Sequence, residues 1–275
     1  MITKNRIIAA AAALSILYSA VCATCIQAAG SDYGVYIGLD NYSIIQKKAQ
    51  KKNLIVIEGQ SLSKKEIEKL KIGGRMVYSY LNVGSVETYR PYYRDFEDIT
   101  LDIYENWPDE KWVDVSKEKW QKFVVKRLAG DLVKKGVDGF FLDNCDVYYH
   151  YENKGVYSGL KKIMKGLRSY DKVQIINGGD VFVRKLITDK KTNLIDGVNQ
   201  ETVFSRIIDY DNDVFSTQPT SEHNYFQRYL KAVKKHNLSI YLLEYTKDKT
   251  LKKQIQAYCK KMKYGYYISE GVKLN

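Results

Sequence analysis

Residues 136–149 read GVDGFFLDNCDVYY, and this stretch decides the fold. A glycine turn leads into an apolar run, residues 137–142, broken only by Asp138 and Gly139. Asp143, Asn144 and Asp146 crowd in behind it. An apolar run bounded by turn residues reads as a strand buried on both faces, as in a parallel sheet. Polar groups at the C-terminal end of such a strand sit where parallel α/β folds keep their chemistry. Taken alone, Asp143 and Asn144 would serve equally well to cap a helix or close a turn. The rest of the chain decides between the two, because it repeats the arrangement.

Working outward, further strand candidates are residues 33–39 (YGVYIGL), 54–57 (LIVI), 76–81 (MVYSYL) and 173–176 (VQII). Residues 195–198, running on to Gln200 and Glu201, are another, as are 238–243 and 266–268. Helical patterns separate them. Ser63 with Glu66 three residues on is a capping box, and Trp120, Phe123, Val124, Leu128 and Leu132 recur at helical spacing before Gly136 stops the run. Eight strands alternating with helices predict an α/β fold, a single-domain (β/α)8 TIM barrel. An open doubly wound sheet is the alternative, but no GxGxxG or P-loop follows the first strand. Residues 88–115, rich in Tyr, Trp and charge, are expected to form a long functional loop, and residues 205–220 another. The repeated Val137-Asp138-Gly139 and Ile195-Asp196-Gly197 fall at strand starts and read as structural turns.

Residues 1–30 carry Lys4 and Arg6, an alanine-rich apolar stretch and small residues near Ala29, the pattern of a signal peptide. A retained membrane anchor is the alternative. The barrel then occupies residues 31–275, and a secreted or cell-envelope-associated protein is expected. Cys145 and Cys259 alone remain beyond the leader, too few for a disulfide framework. Beyond the leader no CxxC or HExxH occurs and the histidines are scattered, so neither a metal nor a cofactor is expected. The formal charge is +12. Lysine pairs at helical spacing read as solvated outer helix faces, suited to an anionic cell envelope; no nucleic-acid motif accompanies them.

Collecting the strand ends gives Asp40, Glu58, Glu87, Asp143, Asp146, Asn177, Asp180, Glu201, Glu244 and Glu270: an acidic mouth on a basic chain. Glu58 and Glu270 read as capping or ion-paired groups. Converging carboxylates repel unless a ligand or raised pKa values relieve them. Without a metal cluster or a Ser-His-Asp set, paired carboxylates point to glycoside hydrolysis. Asp143 and Glu201, on alternate strands, can face each other across one mouth. Aromatics including Tyr80, Tyr89, Trp107 and Tyr149 suit either sugar stacking or plain packing.

The order YSYLNVGSVETYR, WPDEKWVDV, GVDGFFLDNCDVY and VNQETVF resembles glycoside hydrolase family 114, the endo-α-1,4-polygalactosaminidase-like barrels. The resemblance implies Asp143 as nucleophile, Glu201 as acid/base, and a retaining mechanism without metal. It implies a sugar site lined by Asp40, Tyr80, Asn82, Glu87, Asn144, Asp146, Asn177 and Glu244. Asn82 and Ser85 depart from the family pattern, which bears on the substrate more than on the reaction. The expected substrate is a polysaccharide, an amino-sugar polymer. The alternatives are a non-catalytic carbohydrate-binding barrel and a glycosidase of another envelope polysaccharide.

Overall fold

The computed structural model describes residues 32–275; the expected leader, residues 1–30, lies outside them. Eight parallel strands form one sheet: β1 (Tyr33–Tyr36), β2 (Leu54–Ile57), β3 (Met76–Asn82), β4 (Gly139–Asp143), β5 (Val173–Asn177), β6 (Gly197–Glu201), β7 (Ser239–Tyr245) and β8 (Gly265–Ser269). Each is hydrogen-bonded to the next in chain order, β1 through β8. The sheet curls until β8 lies against β1, where the Tyr36 and Tyr267 rings meet edge-on at 5.5 Å. A helix or helical run crosses between every consecutive pair, as the expected barrel requires. Among the described residues no helix is long and apolar enough to cross a membrane.

Alternation along each strand divides the core in two. Tyr33, Val35, Leu54, Val56, Tyr78, Phe141, Ile175, Tyr241 and Leu243 point inward and fill the barrel. Ile55, Ile57, Val77, Leu81, Phe140, Leu142, Ile176 and Leu242 point outward and bury the apolar faces of the helices. That is why these strands are apolar at successive positions rather than at every second one. The lumen is crowded with tyrosine rings, and Gly139 makes room for one: a Cβ there would come within 2.7 Å of the Tyr78 ring.

The repeated Asp-Gly pairs are structural, though they are strand feet rather than turns. Asp138 accepts the Val77 N–H of the neighbouring strand at 2.9 Å and pairs with Lys71 at 2.6 Å. Asp196 repeats the device one pair of strands on, accepting from Gln174 N at 2.8 Å and from Arg168 at 2.8 Å. Each carboxylate joins one strand foot to the next and to the helix outside it. Asp138→Ala strands an N–H and a lysine, so we expect a loss of about 2 kcal/mol in unfolding free energy, measured by urea denaturation.

Both expected loops are in fact small sheets. Ser85–Glu87, Thr100–Ile103 and Glu110–Val113 form a three-stranded antiparallel sheet at the mouth. Ser205–Asp209 and Val214–Thr217 form a hairpin beside it. The strands are short and mix polar with apolar side chains, so their alternation is faint in sequence.

Candidate active site

Asp143, Asn177 and Glu201 are the last residues of three consecutive strands, β4, β5 and β6. Each stands two residues beyond an inward-facing position, so alternation turns all three into the barrel mouth. Asn177 is the link: its single Nδ2 donates to Asp143 Oδ1 at 2.9 Å and to Glu201 Oε1 at 2.7 Å. Those two oxygens are therefore no farther apart than both contacts laid end to end, 5.6 Å. The fork is itself held from below. Asn199 Nδ2 donates to Asn177 Oδ1 at 2.7 Å, and Tyr33 donates its hydroxyl to Asn199 Oδ1 at 3.0 Å. Because Asn199 occupies the Asn177 carbonyl, the amide group is oriented with its nitrogen toward the carboxylates. Tyr245 Oη donates to the other Glu201 oxygen at 2.7 Å.

Burial holds the Asp143 carboxyl well above the usual carboxylate range, and the neighbouring Glu201 raises it further. Burial also raises Glu201, against the pull of its two donors, Asn177 and Tyr245. Two carboxylates this close share one proton more readily than they ionise together. In the free cleft the donors favour an ionised Glu201, which leaves that proton with Asp143.

The pair opens into a cavity of about 600 Å³. Tyr80, Glu87, Asn144, Asp146 and Asn177 line it together with Asp143 and Glu201. Asp146 accepts the Gly179 N–H at 3.0 Å, while burial pushes its carboxyl up to about 7. Three residues of the expected sugar site stand elsewhere. Asp40 is exposed beyond the end of β1, which stops at Tyr36. Asn82 lies beneath the lining, donating to Glu110 at 2.8 Å. Glu244 points out of the lumen because β7 runs on to Tyr245, and alternation gives the mouth Tyr245 instead. Glu244 accepts the N–H groups of Val203, Phe204 and Ser205 and the Ser205 hydroxyl, so it anchors the loop that follows Glu201. Of the two carboxylates read as structural, Glu270 pairs with Lys252 on the surface. Glu58 pairs with Arg90 at 2.7 Å, and both line the cavity.

The lining also contains residues that sequence reasoning missed. Glu110 and Tyr104 come from the small sheet, and Tyr210 from the hairpin tip. The Trp107 and Tyr210 rings meet at 6.1 Å, joining the two accessory units at the rim. Of the aromatics weighed for stacking, Tyr80, Tyr89 and Trp107 reach the cavity, while Tyr149 is exposed outside it. Cys145, next to Asn144, is buried and faces Gly179 rather than the cleft.

The sequence profile described as glycoside-hydrolase family GH114 matches residues 36–269. No curated protein matches the chain in sequence. Among solved structures, the glycoside hydrolase domain of PelA from Pseudomonas aeruginosa is 17% identical with a TM-score of 0.75, over 89% of this chain and 96% of that one. Ega3 from Aspergillus fumigatus, solved in complex with galactosamine, is 18% identical with a TM-score of 0.68, over 90% and 94%. An alpha-galactosidase from Thermus thermophilus is 12% identical with a TM-score of 0.51, over 77% and 50%. At these identities the structural likeness speaks to the barrel fold.

Proposed function

The chain belongs to glycoside hydrolase family GH114, and from that premise we propose that it cleaves internal α-glycosidic bonds of a galactosamine-containing exopolysaccharide by a retaining mechanism. Asp143 is the nucleophile and Glu201 the acid/base. The observation that carries this reading is the shared Asn177 amide. It holds both carboxylates on one nitrogen, 2.9 Å from Asp143 Oδ1 and 2.7 Å from Glu201 Oε1, and a pair gathered on one donor favours the retaining separation of about 5–5.5 Å over the roughly 6.5–9.5 Å that admits a water. In the first step Asp143 attacks the anomeric carbon while Glu201 gives its proton to the departing glycosidic oxygen. In the second, Glu201 takes a proton from water, which attacks the same carbon and frees Asp143. Substrate must therefore draw the shared proton from Asp143 to Glu201. A glycosidic oxygen beside Glu201 and an electrophilic carbon beside Asp143 favour that order.

The substrate class follows from charge. Six carboxylates line the cavity, Glu58, Glu87, Glu110, Asp143, Asp146 and Glu201, against Arg90 and Lys273. Repulsion between the +12 chain and a cationic polymer is screened beyond about 8 Å at physiological salt, so the acidic mouth governs binding. The galactosamine bound to Ega3 suits the same logic. Export is part of the proposal, with the lysine-rich outer faces resting on anionic envelope polymers. The test is product formation from galactosamine polymers, followed by NMR. The first-formed reducing ends should carry the α configuration, and polymer length should fall before monosaccharide accumulates. β products at first formation would refute retention; binding without turnover would support a carbohydrate-binding protein instead.

A further inference from the structure

Each of the six cavity carboxylates has two oxygens, and nearly all of them are already occupied. Glu201 accepts from Asn177 and Tyr245. Both oxygens of Asp146 accept from Gly179 N, and Glu58 accepts from Gln60 N and Arg90. Glu87 pairs with Arg90 through Oε1, and its Oε2 is sealed from solvent without a partner. Among the described residues this leaves two cavity oxygens that are neither bonded nor sealed: Asp143 Oδ2, which the reaction uses, and Glu110 Oε2.

Glu110 is also the most firmly anchored of the set. Its Oε1 accepts from Asn82 Nδ2 at 2.8 Å, from Asn144 Nδ2 at 2.7 Å and from the Ser85 hydroxyl. Three donors on one oxygen fix the carboxylate plane, so the second oxygen cannot swing away. Burial and the facing Glu87 push the Glu110 carboxyl up, a cost that an arriving cation would offset.

We propose that Glu110 Oε2 is the specificity-determining acceptor for a protonated amino group on the sugar, preferring free-amine to amine-less or N-acetylated residues. This rests on the reading of the cleft as a sugar site. A hydroxyl would also fit one acceptor, but a charge-assisted N⁺–H···O⁻ contact is roughly twice as strong as a neutral one. An acetamido group loses the charge and adds bulk where the anchored carboxylate cannot retreat.

The test uses the full exported chain carrying Asp143→Asn, so that sugars bind without turnover, and compares galactosamine, N-acetylgalactosamine and galactose by calorimetry. We expect galactosamine to bind at least about tenfold tighter than galactose. Adding Glu110→Gln should bring that ratio to within about twofold, because Gln keeps an oxygen for Asn82, Ser85 and Asn144 while presenting an N–H₂ to the cavity. Galactose, which carries no amine, should bind Glu110→Gln within about threefold of its affinity for the Glu110 parent. An unchanged ratio in Glu110→Gln would overturn the proposal, as would an equal loss of galactose and galactosamine affinity, which marks a merely structural role. If Glu110→Gln does not fold, Glu110→Asp withdraws the charge by one methylene and should also collapse the ratio. Failure of the hydrolase reading is separable: a Glu110-dependent amine preference in a protein that cleaves no polymer would retain this proposal and discard that one.

Discussion

Asp143→Asn should lower kcat/KM by about 10⁴-fold or more, equivalent to roughly 5.5 kcal/mol of transition-state stabilisation. An amide oxygen can still accept from Asn177, so the fork and the fold survive, but an amide does not form the covalent glycosyl intermediate. Two further readouts separate a lost nucleophile from a damaged protein. The variant should melt no lower than the wild type, because an amide of the same shape keeps the Asn177 contact and brings no charge to bury. Asp143→Ala supplied with azide should regain turnover and yield a glycosyl azide of inverted configuration, the small anion having entered from the nucleophile's side. A fully active Asp143→Asn would remove the assignment outright.

Glu201→Gln should have the next largest effect, and one that depends on the leaving group. For a sugar leaving group, which must be protonated, the loss should be about 10²–10⁴-fold. For an activated aryl glycoside, which leaves unaided, the first step should slow by less than about tenfold and the intermediate should accumulate as a burst. The pH profile carries the same information. In the wild type, activity should fall as pH rises through the upper apparent pKa of the pair, because the shared proton is then gone and no acid remains. That limb should lie above the ordinary carboxylate range, since burial raises both Asp143 and Glu201. In Glu201→Gln it should disappear for the aryl substrate. Were the two roles reversed, Asp143→Asn would show the leaving-group dependence instead.

The barrel was legible because each of its strands is a short apolar run bounded by turn residues, and eight of them alternate with amphipathic helices. Asp143 and Glu201 were legible because they close such runs, so locating a strand end also locates a mouth position. The same logic misplaced Asp40 and Glu244, for one reason. A strand end uncertain by one residue or more leaves the direction of its last side chain undetermined, since neighbours point to opposite faces. β1 stops at Tyr36, and β7 continues to Tyr245. Glu110 was missed for a different reason. It sits on Glu110–Val113, whose pairing partner Ser85–Glu87 is distant in sequence, and no local periodicity announces a contact across such a gap. The signal that could have found it is a Glu set beside Trp112 in an insertion otherwise too long for an idle loop.

The strand feet give the barrel a ruler. Asp138 and Asp143 bound β4, and Asp196 and Glu201 bound β6, with the same interval of five residues in each. An odd interval puts the two acids on opposite faces of one strand. The lower one is sent out to Lys71 or Arg168, and the upper one into the mouth, about 17 Å farther along at roughly 3.3 Å per residue. Equal intervals measured from equal footings bring both upper carboxylates to the same level, where one amide can reach them both. Chemistry at the top of this molecule is thus calibrated from its base. Gaining or losing one residue inside either interval would turn one of the two mouth carboxylates toward the helices, with no side chain of the cleft itself altered.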